Sequence, residues 1–307
     1  MIENFLTVAA QVLSLFIMIT VGFILGKTKL LREEATPSIS NLILYVATPA
    51  AILQAFLNEE RTIDKTVNLA LVAVFAVVTH LIGILIASLL IKTKNADTTK
   101  VLRFGVVFSN CGYMSFPLQK ALLGDIGVFY GAMYVAVFNL VMWSYGIALM
   151  GRDKKLSLKK VIFNPAVIAV IISVVLYLLQ LKLPSVLSGA VSALSTLNTP
   201  LPMIIIGYYL STSNLLGAIT DKRVYLTAFL RLIGIPAIML ALLLLLGVHG
   251  APLIACTVAA SAPIAAAGTM FSIKFGRDTM CSVNGVTLTT LLSIVTMPLF
   301  VAVAQLF

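Results

Sequence analysis

Charge is scarce in this chain: only 10% of its 307 residues are charged, and acidic residues number 11. An aqueous domain carries about 25% charged and about 45–50% apolar residues. Here the hydrophobic fraction is 60%, so lipid has to be the main solvent. No acidic residue falls near the middle of a long apolar run. That excludes a midplane carboxylate relay and the paired acids of a hydrolase. Cysteine is rare too: Cys111, Cys256 and Cys281 have no CxxC spacing and read as small buried hydrophobes, not as a disulfide framework. No metal-ligand spacing and no nucleophile–base pair is found, so the reading is of a non-enzyme that needs neither metal nor cofactor. The net charge of +10 comes without a basic aromatic face, which argues against nucleic acid. Its Lys and Arg residues form short clusters between apolar runs, as topology signals do.

What is abundant is long apolar sequence. A bilayer core takes about 20 residues of helix. That ruler predicts ten spanning helices, at 5–25, 38–57, 66–91, 101–121, 127–150, 161–181, 185–211, 224–247, 251–272 and 282–306. The start lacks the positive region of a signal peptide, so the first run is expected to stay as a helix. Of the 21 Lys and Arg residues, sixteen lie in or beside the odd-numbered loops and four in or beside the even ones. The positive-inside rule then puts the odd loops in the cytoplasm and both termini outside, in a plasma or inner membrane. Arg231 alone stands inside a span.

The two halves echo each other. Leu81-Ile82-Gly83 recurs as Leu232-Ile233-Gly234 and Thr48-Pro49 as Thr199-Pro200, both 151 residues on; Gly124-Asp125 is echoed by Gly276-Arg277-Asp278. A shared offset predicts an all-α integral membrane fold with a 5+5 inverted repeat. The first repeat covers 1–150, a basic cytoplasmic linker 151–160, and the second repeat 161–307. Five helices per repeat is an odd number, which forces opposite orientation and gives an architecture common among transporters.

Small, polar and helix-breaking residues interrupt the fourth and ninth segments at corresponding places. The fourth holds Ser109-Asn110-Cys111-Gly112-Tyr113-Met114-Ser115-Phe116-Pro117; the ninth holds Ser261-Ala262-Pro263. Pro117 and Pro263 lack an amide donor. Backbone groups freed at that depth need protein, water or a ligand as partner. A half-helix starting there offers its positive end to an anion. A plain proline kink would leave the same trace in one helix; two kinks at matching positions favour broken, crossing helices 4 and 9. His80 and Arg231 are the basic residues inside spans, again 151 apart. Arg231 either snorkels to the cytoplasm or supplies positive potential to a carboxylate. His80 reads first as a hydrogen-bonded core residue. The expected substrate site is therefore Asn110, Cys111, Gly112, Pro117, Ser261, Pro263, Arg231 and His80.

The stretch Asn41-Leu42-Ile43-Leu44-Tyr45-Val46-Ala47-Thr48-Pro49-Ala50 resembles the second-helix motif of the auxin efflux carrier family of permeases. The Ser109–Pro117 stretch, followed by Leu118 and Gly124, resembles that family's broken helix. Asn164-Pro165, Arg231 with Pro236, and Ser261-Ala262-Pro263 before Phe275-Gly276 complete the set. The resemblance implies ten helices in two inverted repeats. Segments 1, 2, 6 and 7 would form a scaffold that often dimerises, so a homodimer is expected. Segments 3–5 and 8–10 would form a unit moving as an elevator. It also implies a carboxylate substrate, since family members include plant carriers of an aromatic acid and bacterial malonate and malate permeases. The second crossover lacks an Asn beside Pro263. The expectation is a permease for a small mono- or dicarboxylate, with membrane lipids as its other partner. An anion channel and a membrane ligand sensor remain open alternatives.

Overall fold

In the computed structural model, residues 2–151 and 164–307 are described, with side chains at 10 and from 13 onward. The basic linker expected at 151–160 lies, Gly151 apart, outside the described residues, as does the start of the sixth segment. Among the described residues the fold is all-helical and has no β-strand. The helices are α1 (Ile2–Lys27), α2 (Glu33–Leu57), α3 (Ile63–Leu90), α4 (Ala96–Val107), α5 (Ser115–Leu123) and α6 (Asp125–Met150). They continue as α7 (Pro165–Leu179), α8 (Ser185–Thr212), α9 (Lys222–Leu245), α10 (Gly250–Ser261), α11 (Ala267–Phe275) and α12 (Thr279–Ala304), with a short helical segment, Leu215–Thr220, between α8 and α9. Six of these, α2, α3, α6, α8, α9 and α12, are long and apolar enough on their own to cross a membrane.

Local chemistry explains the boundaries. Thr62 caps α3 by accepting from the Lys65 N–H at 3.1 Å, and Asn95 caps α4 by accepting from Asp97 N–H at 2.8 Å. Asn164 followed by Pro165 opens α7, the asparagine accepting from Ala166 N–H at 2.9 Å. Each of these satisfies amides that the first helical turn leaves orphaned. Gly124 and Gly276 end α5 and α11 with φ of 69° and 59°, which a residue with a Cβ rarely adopts.

Apolar side chains face both ways. On α3, Val74, Leu81, Leu85 and Leu89 are exposed, while Val72, Ala76, Thr79, His80 and Gly83 are buried. A helix apolar all round belongs in lipid. The closest packing is α1 on α8, where Gly22 and Gly26 form a GxxxG pair opposite Gly207 and Ser211. A Cβ on Gly22 would lie 2.1 Å from the Ile204 carbonyl oxygen, and one on Gly207 would lie 1.9 Å from that of Ile19. Small residues let membrane helices approach closely, and these backbones touch. α2 packs on α7 and on the first part of α8. Elsewhere α3 packs on α6 and α4, and α10 packs on α6, α9 and α12.

Candidate functional site

The fourth and ninth segments are each two half-helices separated by an extended break. α4 ends at Val107 and α5 begins at Ser115; α10 ends at Ser261 and α11 begins at Ala267. The two breaks run antiparallel and pair through Ser109 and Ile264. Asn110 N–H donates to the Pro263 carbonyl at 2.7 Å, and Ala265 N–H donates to the Phe108 carbonyl at 2.9 Å. Ile264 N–H donates to Thr289 Oγ1 on α12 at 3.1 Å. The chain thus meets the demand that irregular backbone in a membrane be satisfied by protein. Pro263 sits where its carbonyl is used and no amide is needed. Pro117 falls in the first turn of α5, where the missing donor costs little.

Arg231 lies at this junction. It is 1% exposed, inside a π-helical turn spanning Leu230–Gly234. One guanidinium nitrogen donates to the Val106 and Val107 carbonyls at 3.1 and 3.4 Å, and the other donates to the Ala260 carbonyl. These belong to the last turns of α4 and α10, whose carbonyls have no partner within the helix. The side chain therefore caps two half-helices at once and does not snorkel out of the protein interior. Its Nε is buried with no hydrogen-bond partner among the described residues. His80, Cys111 and Tyr134 lie within electrostatic reach of it. His80 is buried, with Nδ1 2.6 Å from the Ala76 carbonyl, and its ring stands 5.8–6.0 Å from those of Tyr134, Phe108 and Phe138.

The half-helix starts are less occupied. Neither α5 nor α11 has a side-chain cap at its N-terminus. Asn110 is only 8% exposed, and its carboxamide makes no hydrogen bond to a described residue. An ideal Cβ on Gly112 would have no atom within 4 Å, so open space adjoins the break there. Cys111 and Ser261 are buried, the latter donating to the Val258 carbonyl at 3.2 Å. The expected residues therefore converge on one junction, with Asn110 and Gly112 beside its open part and Arg231, His80 and Cys111 packed behind.

Several residues of this region were not expected from sequence. Ser115 and Gln119, one turn apart on α5, donate to the Val258 and Ala255 carbonyls of α10 at 3.3 and 2.9 Å. The first and fifth residues of α11 are instead Ala267 and Phe271, and Phe271 packs on Phe104 and Trp143 at 5.6 and 5.7 Å between rings. A Gln four residues after a half-helix start, amid apolar sequence, was the available signal. A second polar cluster joins the N-terminal ends of α4, α9 and α12. Arg223 pairs with Asp221 at 2.7 Å and Asp278 at 3.0 Å; Thr98 donates to Asp278 at 2.7 Å, and Asn284 donates to Asp221 at 3.0 Å. Arg277 pairs with Asp97 and donates to the Met150 and Gly151 carbonyls at the end of α6. The hydrogen bonds from Arg223, opposed by burial and aided by Asn284, hold the Asp221 carboxyl down at about 2.

Apolar-faced helices and an internal crossing of two broken segments define a multi-pass membrane transporter. The membrane transport protein family, which is the auxin efflux carrier family, matches residues 7–159 and 152–301, and the chain belongs to it. It is 24% identical over 295 residues to an uncharacterized transporter of Methanothermobacter thermautotrophicus, covering 94% of this chain and 96% of that one. It is also 24% identical over 216 residues to an uncharacterized transporter of Methanocaldococcus jannaschii, covering 65% of this chain and 68% of the relative.

Proposed function

We propose that this transporter carries a small organic anion, a carboxylate, by an elevator-type exchange of access across the cell membrane. The observation that carries the reading is the free Asn110 carboxamide beside the open space at Gly112, in the break that leads into the uncapped start of α5 and pairs with the break before α11. Amide donors and helix N-termini favour negative charge. Asn110, Gly112 and the α5 and α11 starts would hold the carboxylate, with Pro117, Pro263, Cys111 and Ser261 shaping the junction. Arg231 and His80 would act from behind it.

Ten crossings in two inverted five-helix repeats, with both termini outside, fit this reading. Support comes from the paired breaks and from Gly124 and Gly276, which end α5 and α11 at positive φ. The packing of α1, α2, α7 and α8 on one another supports their role as the scaffold, which in a homodimer would also meet the second copy. The half-helices meet the rest of the protein unequally, which supports two exchangeable states. α5 packs on α1, whereas α11 leaves Met270 and Ile273 69% and 66% exposed. In the opposite state the α11 face would close against α7, the repeat counterpart of α1.

A thermal-shift screen of the purified protein against carboxylic acids and matched neutral amides tests the reading. A ligand at about 100 times its Kd stabilises by about 2.7 kcal/mol. The expected result is stabilisation by an acid that Asn110→Ala abolishes, followed by flux of that acid into proteoliposomes. Conductance far above carrier turnover, or binding without flux, would replace the carrier with a channel or a sensor.

A further inference from the structure

Four half-helix ends meet at the crossover, and their charges should cancel. A helix N-terminus carries roughly +0.5 elementary charge and a C-terminus roughly −0.5. Two starts, α5 and α11, and two ends, α4 and α10, would leave a junction of no net field. Nothing in such a junction would favour an anion over a neutral molecule of the same shape.

Arg231 breaks the cancellation. Its guanidinium is spent on the ends alone, through the Val106, Val107 and Ala260 carbonyls. One full positive charge sits against two charges of roughly −0.5, so the ends are roughly neutralised. The two starts then stand uncompensated, together worth roughly one positive charge. No acidic side chain lies in the interior of the spans to offset them. Within the break itself Asn110, more than nine-tenths buried, has a neutral carboxamide that makes no hydrogen bond to a described residue and can donate to an anion.

We propose that Arg231 is a positioning residue that silences the C-terminal ends of both broken helices, and that the site it leaves is matched in charge to a monovalent anion. The proposal rests on the carrier reading above and deepens it: a monocarboxylate is the substrate class, and a dicarboxylate carries one charge too many. A dianion would bring a second desolvated charge into a junction with no second cation, at the cost that accompanies any unpaired charge in a low-dielectric interior. The guanidinium never touches the substrate; it acts through the two helix ends.

The test uses the full-length protein in detergent and in proteoliposomes. Probes are butyrate and benzoate as monoanions, malonate and succinate at pH 7.5 as dianions, and butyramide and benzamide as neutral isosteres. The wild type is expected to bind a monoanion at least tenfold more tightly than either dianion. Arg231→Lys keeps the charge and should retain the monoanion preference. Arg231→Gln keeps donors to the carbonyls without the charge, and should bring acid and amide affinities to within a few-fold of each other. The wild-type ranking needs no variant to fold, so the proposal stays exposed even if Arg231→Gln does not. Dianions bound as tightly as monoanions overturn the charge match while leaving the carrier reading intact. An Arg231→Gln protein that folds and still discriminates acid from amide overturns the role of Arg231. No response to any acid overturns the carrier reading, and this proposal with it.

Discussion

The Thr48 hydroxyl donates to the Asn198 carboxamide oxygen across 2.8 Å, and each residue sits where its helix leaves α geometry. Thr48 follows a π-helical turn at Ile43–Ala47, and Asn198 closes a 3-10 turn at Thr196–Asn198. Both are buried, and each is followed within two residues by proline, Pro49 or Pro200. The bond ties α2 to α8 at the two places where backbone hydrogen bonding is irregular. Thr48→Val keeps the shape and removes the donor, leaving the Asn198 oxygen unpaired. A loss of about 1–3 kcal/mol is expected, read as a lower Tm in detergent, with Thr48→Ser close to wild type. An unchanged Tm for Thr48→Val would show that the bond is not needed.

The contact of α1 with α8 has no slack. Gly22→Ala places a methyl on the Ile204 carbonyl oxygen, and Gly207→Ala places one on that of Ile19. Each is expected to cost at least about 1–3 kcal/mol through forced backbone separation. Gly189→Ala is the control, because its Cβ would meet nothing within 4 Å. The three Tm values, measured side by side, decide whether backbone proximity is the cause.

Removing the Asn110 amide should weaken the substrate without unfolding the protein, since its side chain bonds to no described residue. A hydrogen bond to a charged group is worth about 1.5–3 kcal/mol. Asn110→Ala should therefore raise KM by about tenfold or more, with Tm in the absence of ligand unchanged. Normal KM would remove Asn110 from the site.

Acid should loosen the cluster around Asp221. Its folded pKa, about 2, lies below the ordinary 3.8, so its stabilisation is fully present above that ordinary value. It is lost as pH falls from about 4 through 2, where the folded state too takes up the proton. Thermal melts across that window should fall more steeply for wild type than for Asp221→Asn. Parallel curves would mean that other carboxylates dominate.

Access can be read chemically. Cys111, Cys256 and Cys281 are buried, so a new thiol is easily distinguished. Met270→Cys, the fourth residue of α11, should react with a polar maleimide, whereas Leu118→Cys, the fourth residue of α5, should not in this conformation. Reversal of that order would mean that the opposite face of the crossover is the open one.

Much of this was readable from one-dimensional sequence because the bilayer imposes a simple ruler. Apolar runs mark the helices, and prolines with small polar neighbours mark Ser109–Pro117 and Ser261–Pro263 as breaks. The convergence of Arg231 with both breaks was half legible: its cost in lipid flagged it, but not its partners, which are backbone carbonyls invisible to side-chain pattern. Ser115, Gln119 and Thr289 were missed for a related reason. Single hydroxyls and amides in apolar helices look alike whether they bond to their own helix, as Thr257 does to Leu253, or to another. The π-helical turns at Ile43–Ala47, Met142–Gly146 and Leu230–Gly234 likewise have no residue signature of their own.

The pairing of Asn110 with Pro263 and of Phe108 with Ala265 spans about half the chain. During synthesis the first break enters the membrane well before its partner has been made. Until then its Asn110 amide and Phe108 carbonyl, with the ends that Arg231 later caps, need water, lipid headgroups or an insertion factor. The amino-terminal half is thus an incomplete object by construction. Its maturation is a late, concerted event in which the second half supplies the missing backbone of the first.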